Sequence, residues 1–203
     1  MRRRKHGDAG QAFPIYITVV AGLLLLAFAY LAVGQAAANR NGAQTAADAA
    51  ALAAALDTRD ALADEWVENV LDPNKWQAIF DGGGVPFLGC ERANALAAQN
   101  DASADCGTAP GLHPGYTVEV ETIKPVGDSI IPGTETMHST ATATAVIEPL
   151  CTFEPPGEDA DENVLPKLSC DDDREWILKP DDLTVLPKPE DLFDVHLADV
   201  TSE

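Results

Sequence analysis

Residues 12–33 read AFPIYITVVAGLLLLAFAYLAV, 22 residues without a formal charge, and residues 35–72 continue as QAAANRNGAQTAADAAALAAALDTRDALADEWVENVLD without a proline. The first stretch makes about 33 Å of helix at 1.5 Å per residue, enough to cross a bilayer core. Pro14 stands in its first turn, where a missing N–H removes no intrahelical bond. The second stretch is strongly helix-forming: eight of the ten residues Ala46–Ala55 are alanine, the best helix former. Leu62, Trp66 and Val70 repeat at intervals of four, and Asp72-Pro73 supplies a stop, because the residue before proline disfavours the α region. One continuous rod from Phe13 to Leu71 would be about 90 Å long.

Charge orients the span. Arg2, Arg3, Arg4 and Lys5 precede it, and the next basic residue is Arg40. The positive-inside rule puts the N-terminus in the cytoplasm and the following region outside. The competing reading is a cleaved signal peptide, with small residues at Ala36–Ala38 as the cleavage site, but its apolar region is usually only about 7–15 residues long. The whole chain of 203 residues carries 33 acidic and 13 basic side chains, a formal net charge of −20. With the first eight residues at +3, everything after them holds −23. Such a balance excludes nucleic-acid binding through a general basic surface. Aromatic residues are only 6% of the chain, so the core is expected from Ala, Val, Leu and Ile, and a large buried catalytic cleft is not.

Gly34, Ala38, Gly42, Ala46, Ala50 and Ala54 form a run of small residues at intervals of four. Runs of this kind let helix backbones approach closely, so it is read as a helix-packing surface for partner helices.

At this point the residues resemble a family. GDAGQAFPIYITVVAGLLLLAFAY (residues 7–30) followed by NRNGAQTAADAAALAAAL (residues 39–56) is similar to the N-terminal segment of TadE/TadG-like proteins of the bacterial tight-adherence (Flp) pilus system. The resemblance implies a membrane-anchored accessory or minor-pilin role, with other pilus-assembly subunits as partners and no enzymatic activity. Prepilin-like members are cut after a glycine and carry Glu at the fifth mature position. Counted from Gly10 that position is Ile15, so the likeness is to the uncleaved, TadG-like branch.

Cys90, Cys106, Cys151 and Cys170 all lie beyond the span. An even number on the outer side points to two disulfides, and four cysteines allow three connectivities. Sequential pairing, Cys90–Cys106 and Cys151–Cys170, is preferred because it closes short loops. The alternative, a zinc site, lacks any CxxC spacing or adjoining histidine. Strand signals follow between the pairs. Tyr116, Val118 and Val120 alternate with Thr117, Glu119 and Glu121. In residues 136–147, Met137, Ala141, Ala143, Ala145 and Ile147 share one face, against His138, Thr140, Thr142 and Thr144 on the other. Turn chemistry at Pro125–Asp128 and Pro132-Gly133 divides the two runs. Residues 151–203 hold 16 acids and 4 bases, and this proline-spaced acidic sequence is expected to be mostly irregular, with residues 192–197 as a candidate edge strand.

No residue set nominates a reaction, so no enzyme activity, cofactor or metal is expected. His6, His113, His138 and His196 are scattered, and neither HExxH nor GxSxG occurs. Gly82-Gly83-Gly84 lacks the Lys-Ser/Thr of a phosphate loop. Asp171-Asp172-Asp173 and the acids at 158, 159, 161 and 162 read as solvated runs rather than calcium ligands. Trp66, Trp76 and Trp176 read as packing anchors.

The expected architecture is α+β: a long N-terminal transmembrane and stalk helix, a small disulfide-tied antiparallel β module and an acidic irregular tail. Its divisions are 1–11 (cytoplasmic basic end), 12–34 (transmembrane helix), 35–72 (Ala-rich stalk), 73–150 (extracytoplasmic β-rich module) and 151–203 (acidic, Cys-tied tail). The expected location is a bacterial cell membrane, single-pass, as part of a pilus or secretion assembly. A second reading is a tethered extracytoplasmic binding protein, unrelated to pili, whose acidic surface captures cations or a basic ligand.

Overall fold

The computed structural model describes residues 12–86, 88–127, 133–155, 164–171 and 173–198. The basic end at 1–11, Asp172 and the acids at 158–162 lie outside the described residues.

Helix α1 runs unbroken from Ala12 to Glu68, 57 residues or about 85 Å. It stops at Asn69, whose side-chain amide donates to the Glu65 carbonyl at 2.8 Å and competes with continuation of the helix. A short turn then leads to Pro73, which opens α2 (Pro73–Phe80) at its first helical position. Helix α3 spans Gly89–Gln99. Strands β1 (Ala102–Thr108) and β2 (Gly115–Thr122), a 3-10 turn at Thr134–Thr136 and β3 (Thr140–Pro149) follow. The C-terminal region supplies β4 (Cys151–Thr152), β5 (Leu168–Cys170), β6 (Arg174–Trp176), the single turn α4 (Pro189–Leu192) and β7 (Phe193–Leu197).

Two antiparallel sheets result. The larger has the order β1-β2-β3-β7 and the smaller the order β4-β5-β6. In the larger sheet Tyr116 lies opposite Ala145 and Val118 opposite Ala143, so one face carries Tyr116, Val118, Val120, Ala143, Ala145 and Ile147, all buried. That face covers α1 from Ala43 onward, where Ala43, Ala46, Ala47, Ala50, Ala51, Ala54 and Ala55 are fully buried. Alanine on the helix meeting alanine on β3 brings the two backbones close, and Tyr116 and Ile147 fill the space between them. Beyond Thr58 the same helix enters an aromatic cluster. Trp66 packs on Trp76 with ring centroids 5.4 Å apart, and Phe153 and Phe193 reach the cluster through Trp76 and Phe80.

The molecule is therefore an α+β assembly, as its alternating strands and alanine run require. Residues 43–68 form no separate stalk here: they are the central helix of the module and share one core with the sheet. The C-terminal region is also more ordered than its composition implies. Leu168, Leu178, Leu192 and Phe193 are buried in that core, and β7 closes the edge of β3. Met137 does not join the buried face expected for it. The strand begins only at Thr140, after the 3-10 turn, and Met137 stands 57% exposed.

Candidate functional site

The helix α1 has two halves with different surroundings. In its apolar N-terminal half the large side chains project away from the chain's own atoms; Phe13, Leu23, Leu26 and Tyr30 are all exposed, Tyr30 at 84%. This is the one described helix long and apolar enough to cross a membrane. Its C-terminal half is the core of the module. The helix is thus rigidly continuous between an uncovered apolar rod and a folded domain.

The six small residues expected to form one packing surface are separated by this arrangement. A step of four residues overshoots a 3.6-residue turn by about 40°, so Gly34 and Ala54 point about 200° apart. Ala46, Ala50 and Ala54 are fully buried beneath the chain's own sheet. Gly34, Ala38 and Gly42 are exposed, and a side chain added at Gly34 or Gly42 would meet no atom within 4 Å. The line that does face the module is Ala32, Asn39, Ala43, Ala50 and Ala54. Its alternating spacings of seven and four keep these residues within about 60° of one another.

Asn39 belongs to that line and ties it to the sheet through its side chain. Its side-chain amide donates to the Lys124 carbonyl at 3.2 Å, and its side-chain oxygen accepts from the Thr122 hydroxyl at 3.3 Å. The end of β2 is therefore fastened to α1 only six residues past the apolar span.

The disulfides fasten the rest. Cys90–Cys106 ties the first turn of α3 to β1, and Cys151–Cys170 joins directly opposed residues of β4 and β5. No described cysteine is free. Helix α3 lies so close to α1 that a Cβ on Gly89 would stand 2.4 Å from the Ala54 carbonyl oxygen. Beside it the Gly89 N–H donates to the Tyr116 hydroxyl at 3.2 Å, and that hydroxyl shares a 2.7 Å hydrogen bond with Thr58.

Between α1 and α3 runs an open groove of about 520 Å³, floored by Leu52, Leu56 and Leu96 and rimmed by Asp57, Asp60 and Arg92. Among the described residues no three His, Cys, Asp or Glu side chains gather in a geometry for a metal ion. Asp182 has its carboxyl held below the usual aspartate value, chiefly because the Thr184 hydroxyl and N–H both donate to it, with Lys179 adding to the effect. That arrangement is an exposed turn and brings no other reactive group with it.

Residues 10–57 match the family model described as "Putative Flp pilus-assembly TadE/G-like". The chain carries a TadE/G-like segment. This TadE/G-like segment spans both the uncovered apolar half of α1 and the alanine run buried in the module, and it ends next to Thr58. No curated protein and no solved structure matches the chain. Everything that wraps the C-terminal half of the TadE/G-like segment, from α2 to β7, lies outside the matched residues.

Proposed function

We propose that the protein is a membrane-anchored, non-catalytic component of a tight-adherence (Flp) type pilus or secretion assembly, acting as an accessory factor or minor pilin. One observation carries this reading: residues 12–57 of the TadE/G-like segment lie in a single helix whose apolar half is largely exposed and whose other half is built into a disulfide-tied module. A bare apolar rod of that length has two physical environments open to it, lipid and other apolar helices. The four basic residues before the span orient the N-terminus to the cytoplasm, which leaves the module on the outer side, where disulfides persist.

Partners pack on the uncovered half of the helix. Gly34 and Ala38 sit on the side of α1 roughly opposite Ala43, so a helix laid there would meet no part of the module. Their small side chains permit close backbone approach. The module, with most of the chain's negative charge, is the part presented outside.

The reading is tested in cells that make the pili, by deleting the gene and by shearing intact wild-type cells. The expected result is loss of surface pili on deletion. The full-length protein is expected either in the sheared filaments, as a minor pilin, or in the membrane fraction with its module open to added protease. Normal piliation in the deletion strain, with the protein recovered as a soluble species lacking residues 12–33, would overturn it.

A further inference from the structure

We propose that the groove between α1 and α3 receives α1 of a second copy of this chain, the two copies being related by a two-fold axis along the membrane normal. The proposal rests on the anchoring reading above and names one partner of the module on the outer side.

Spacing along α1 is the first observation. Thr45, Ala49, Leu52 and Leu56 follow one another at intervals of four, three and four, the seam that one helix presents to another crossing it at about 20°. The chain leaves this seam open. Thr45 is exposed, Leu56 is 38% exposed, and Ala49 and Leu52 are half-buried. Leu96 of α3 lies beside it, so Leu52, Leu56 and Leu96 make one apolar floor. An apolar floor rimmed by charge marks a protein-docking surface.

Charge on the two rims is the second, and it identifies the occupant. Arg92 stands on the α3 rim, Asp57 and Asp60 on the α1 rim, and all three are exposed. Among the described residues neither Arg92 nor Asp57 has an ion-pair partner, while Asp60 pairs with Arg59 at 2.7 Å. A two-fold axis roughly parallel to α1 exchanges the rims without changing any residue's level. Each Arg92 is then set against the other copy's Asp57 and Asp60, twice in one isologous contact. A uniformly basic helix in the same groove would bring like charge against Arg92. A second copy carries the complementary pattern already.

Anchoring is the third. Two copies held by residues 12–33 enter the bilayer with the same polarity, so their α1 helices run parallel and their grooves stand at one height. Confinement to one plane in one orientation removes part of the translational and rotational cost of association. The seam also leads toward the membrane: Ala38 lies on the side of α1 that bears Leu56, five turns away. The second helix therefore continues along the uncovered half. The acids nearest the seam do not oppose it, since Asp64 and Glu68 are turned about 80° and 120° from Leu56 around the helix.

The test places two differently tagged full-length copies, each with Leu56→Cys, in the membranes of a host that makes no pili, and oxidises them with copper phenanthroline. Ile177→Cys, at a position 74% exposed just past β6, is the control. Leu56→Cys is expected to link the two tags and Ile177→Cys to leave them apart. Arg92→Glu in both copies, or Asp57→Lys with Asp60→Lys in both, should lower the linkage about tenfold, because like charges then face each other. Mixing one copy of each kind should restore it, which also shows that both variants fold. If the protein stays in carbonate-washed membranes but Leu56→Cys links no tags, or the mixed pair links no better than the matched pairs, the second copy is wrong and anchoring stands. In piliated cells, a Leu56→Cys thiol shielded from a charged maleimide yet never linked to its own kind would mean a different occupant, which also overturns the proposal. If carbonate releases the protein from the membrane, the anchoring reading falls and takes the proposal with it.

Discussion

Thr58 Oγ1 and Tyr116 Oη lie 2.7 Å apart in the interior, joining α1 to β2, and the Gly89 N–H at the start of α3 donates to the same tyrosine oxygen at 3.2 Å. Three elements far apart in sequence thus meet at one phenol. Tyr116→Phe keeps the ring's packing but strips the Gly89 N–H and Thr58 of their partner. A buried donor left unpaired costs about 1–3 kcal/mol, so the unfolding free energy of the module, read from denaturant titration, should fall by that amount. Thr58→Val should cost less, because the tyrosine keeps its bond from Gly89. A double variant less destabilised than the two single changes summed would measure the coupling directly.

Two glycines should respond to alanine with opposite sign. At Gly89 a Cβ would stand 2.4 Å from the Ala54 carbonyl oxygen and 2.9 Å from Tyr116 Cζ, so helix α3 has to move off α1. Overpacking of this kind costs about 1–3 kcal/mol. At Gly42 the added methyl meets nothing, and the substitution removes glycine's helix penalty of about 1 kcal/mol. Thermal unfolding of purified full-length variants in detergent should show Gly89→Ala lowered and Gly42→Ala raised or level.

The run of small residues should divide in the same experimental setting. Ala50→Leu forces a larger side chain into the contact between α1 and the sheet and should destabilise the module by about 1–3 kcal/mol. Gly34→Leu and Ala38→Leu lie on the uncovered side and should leave the module's unfolding unchanged. The same two changes should reduce co-purification of partner subunits from detergent-solubilised membranes. Retained partners with both substitutions in place would separate the outward side of α1 from assembly.

What the sequence disclosed depended on how locally each element is specified. The span and the alanine run are visible because α1 is specified residue by residue, and β2 because Tyr116, Val118 and Val120 alternate cleanly. Strand β1 gives no such signal: Ala102–Thr108 contains Ala, Asp and Gly and hardly a strong strand former. It is held instead by pairing with β2 and by the Cys90–Cys106 link. The C-terminal region misled through its average, since prolines and acids surround the few residues, Leu168, Leu192 and Phe193, that the core takes up. The run from Gly34 to Ala54 failed as a single surface for a geometric reason already present in the sequence, since intervals of four do not close on a 3.6-residue turn. Asn39 and its bonds to Thr122 and Lys124 carry no local pattern at all; only the folded register of β2 against α1 brings them together.

The two disulfides provide the last prediction, because they guard different contacts through loops of similar length. Cys90–Cys106 closes 16 residues and Cys151–Cys170 closes 19, and the chain-entropy estimate for either is about 3 kcal/mol. Replacing Cys90 and Cys106 together by alanine should loosen β1 and α3, so amide exchange should quicken there first. Replacing Cys151 and Cys170 should instead quicken exchange in β4–β6, while Tyr116 and the buried alanines of α1 stay protected. Treating the wild-type protein with reductant should lower its unfolding midpoint to that of the fourfold alanine variant. A midpoint unmoved by reductant would show that the hydrophobic contact between α1 and the sheet holds the module without either link.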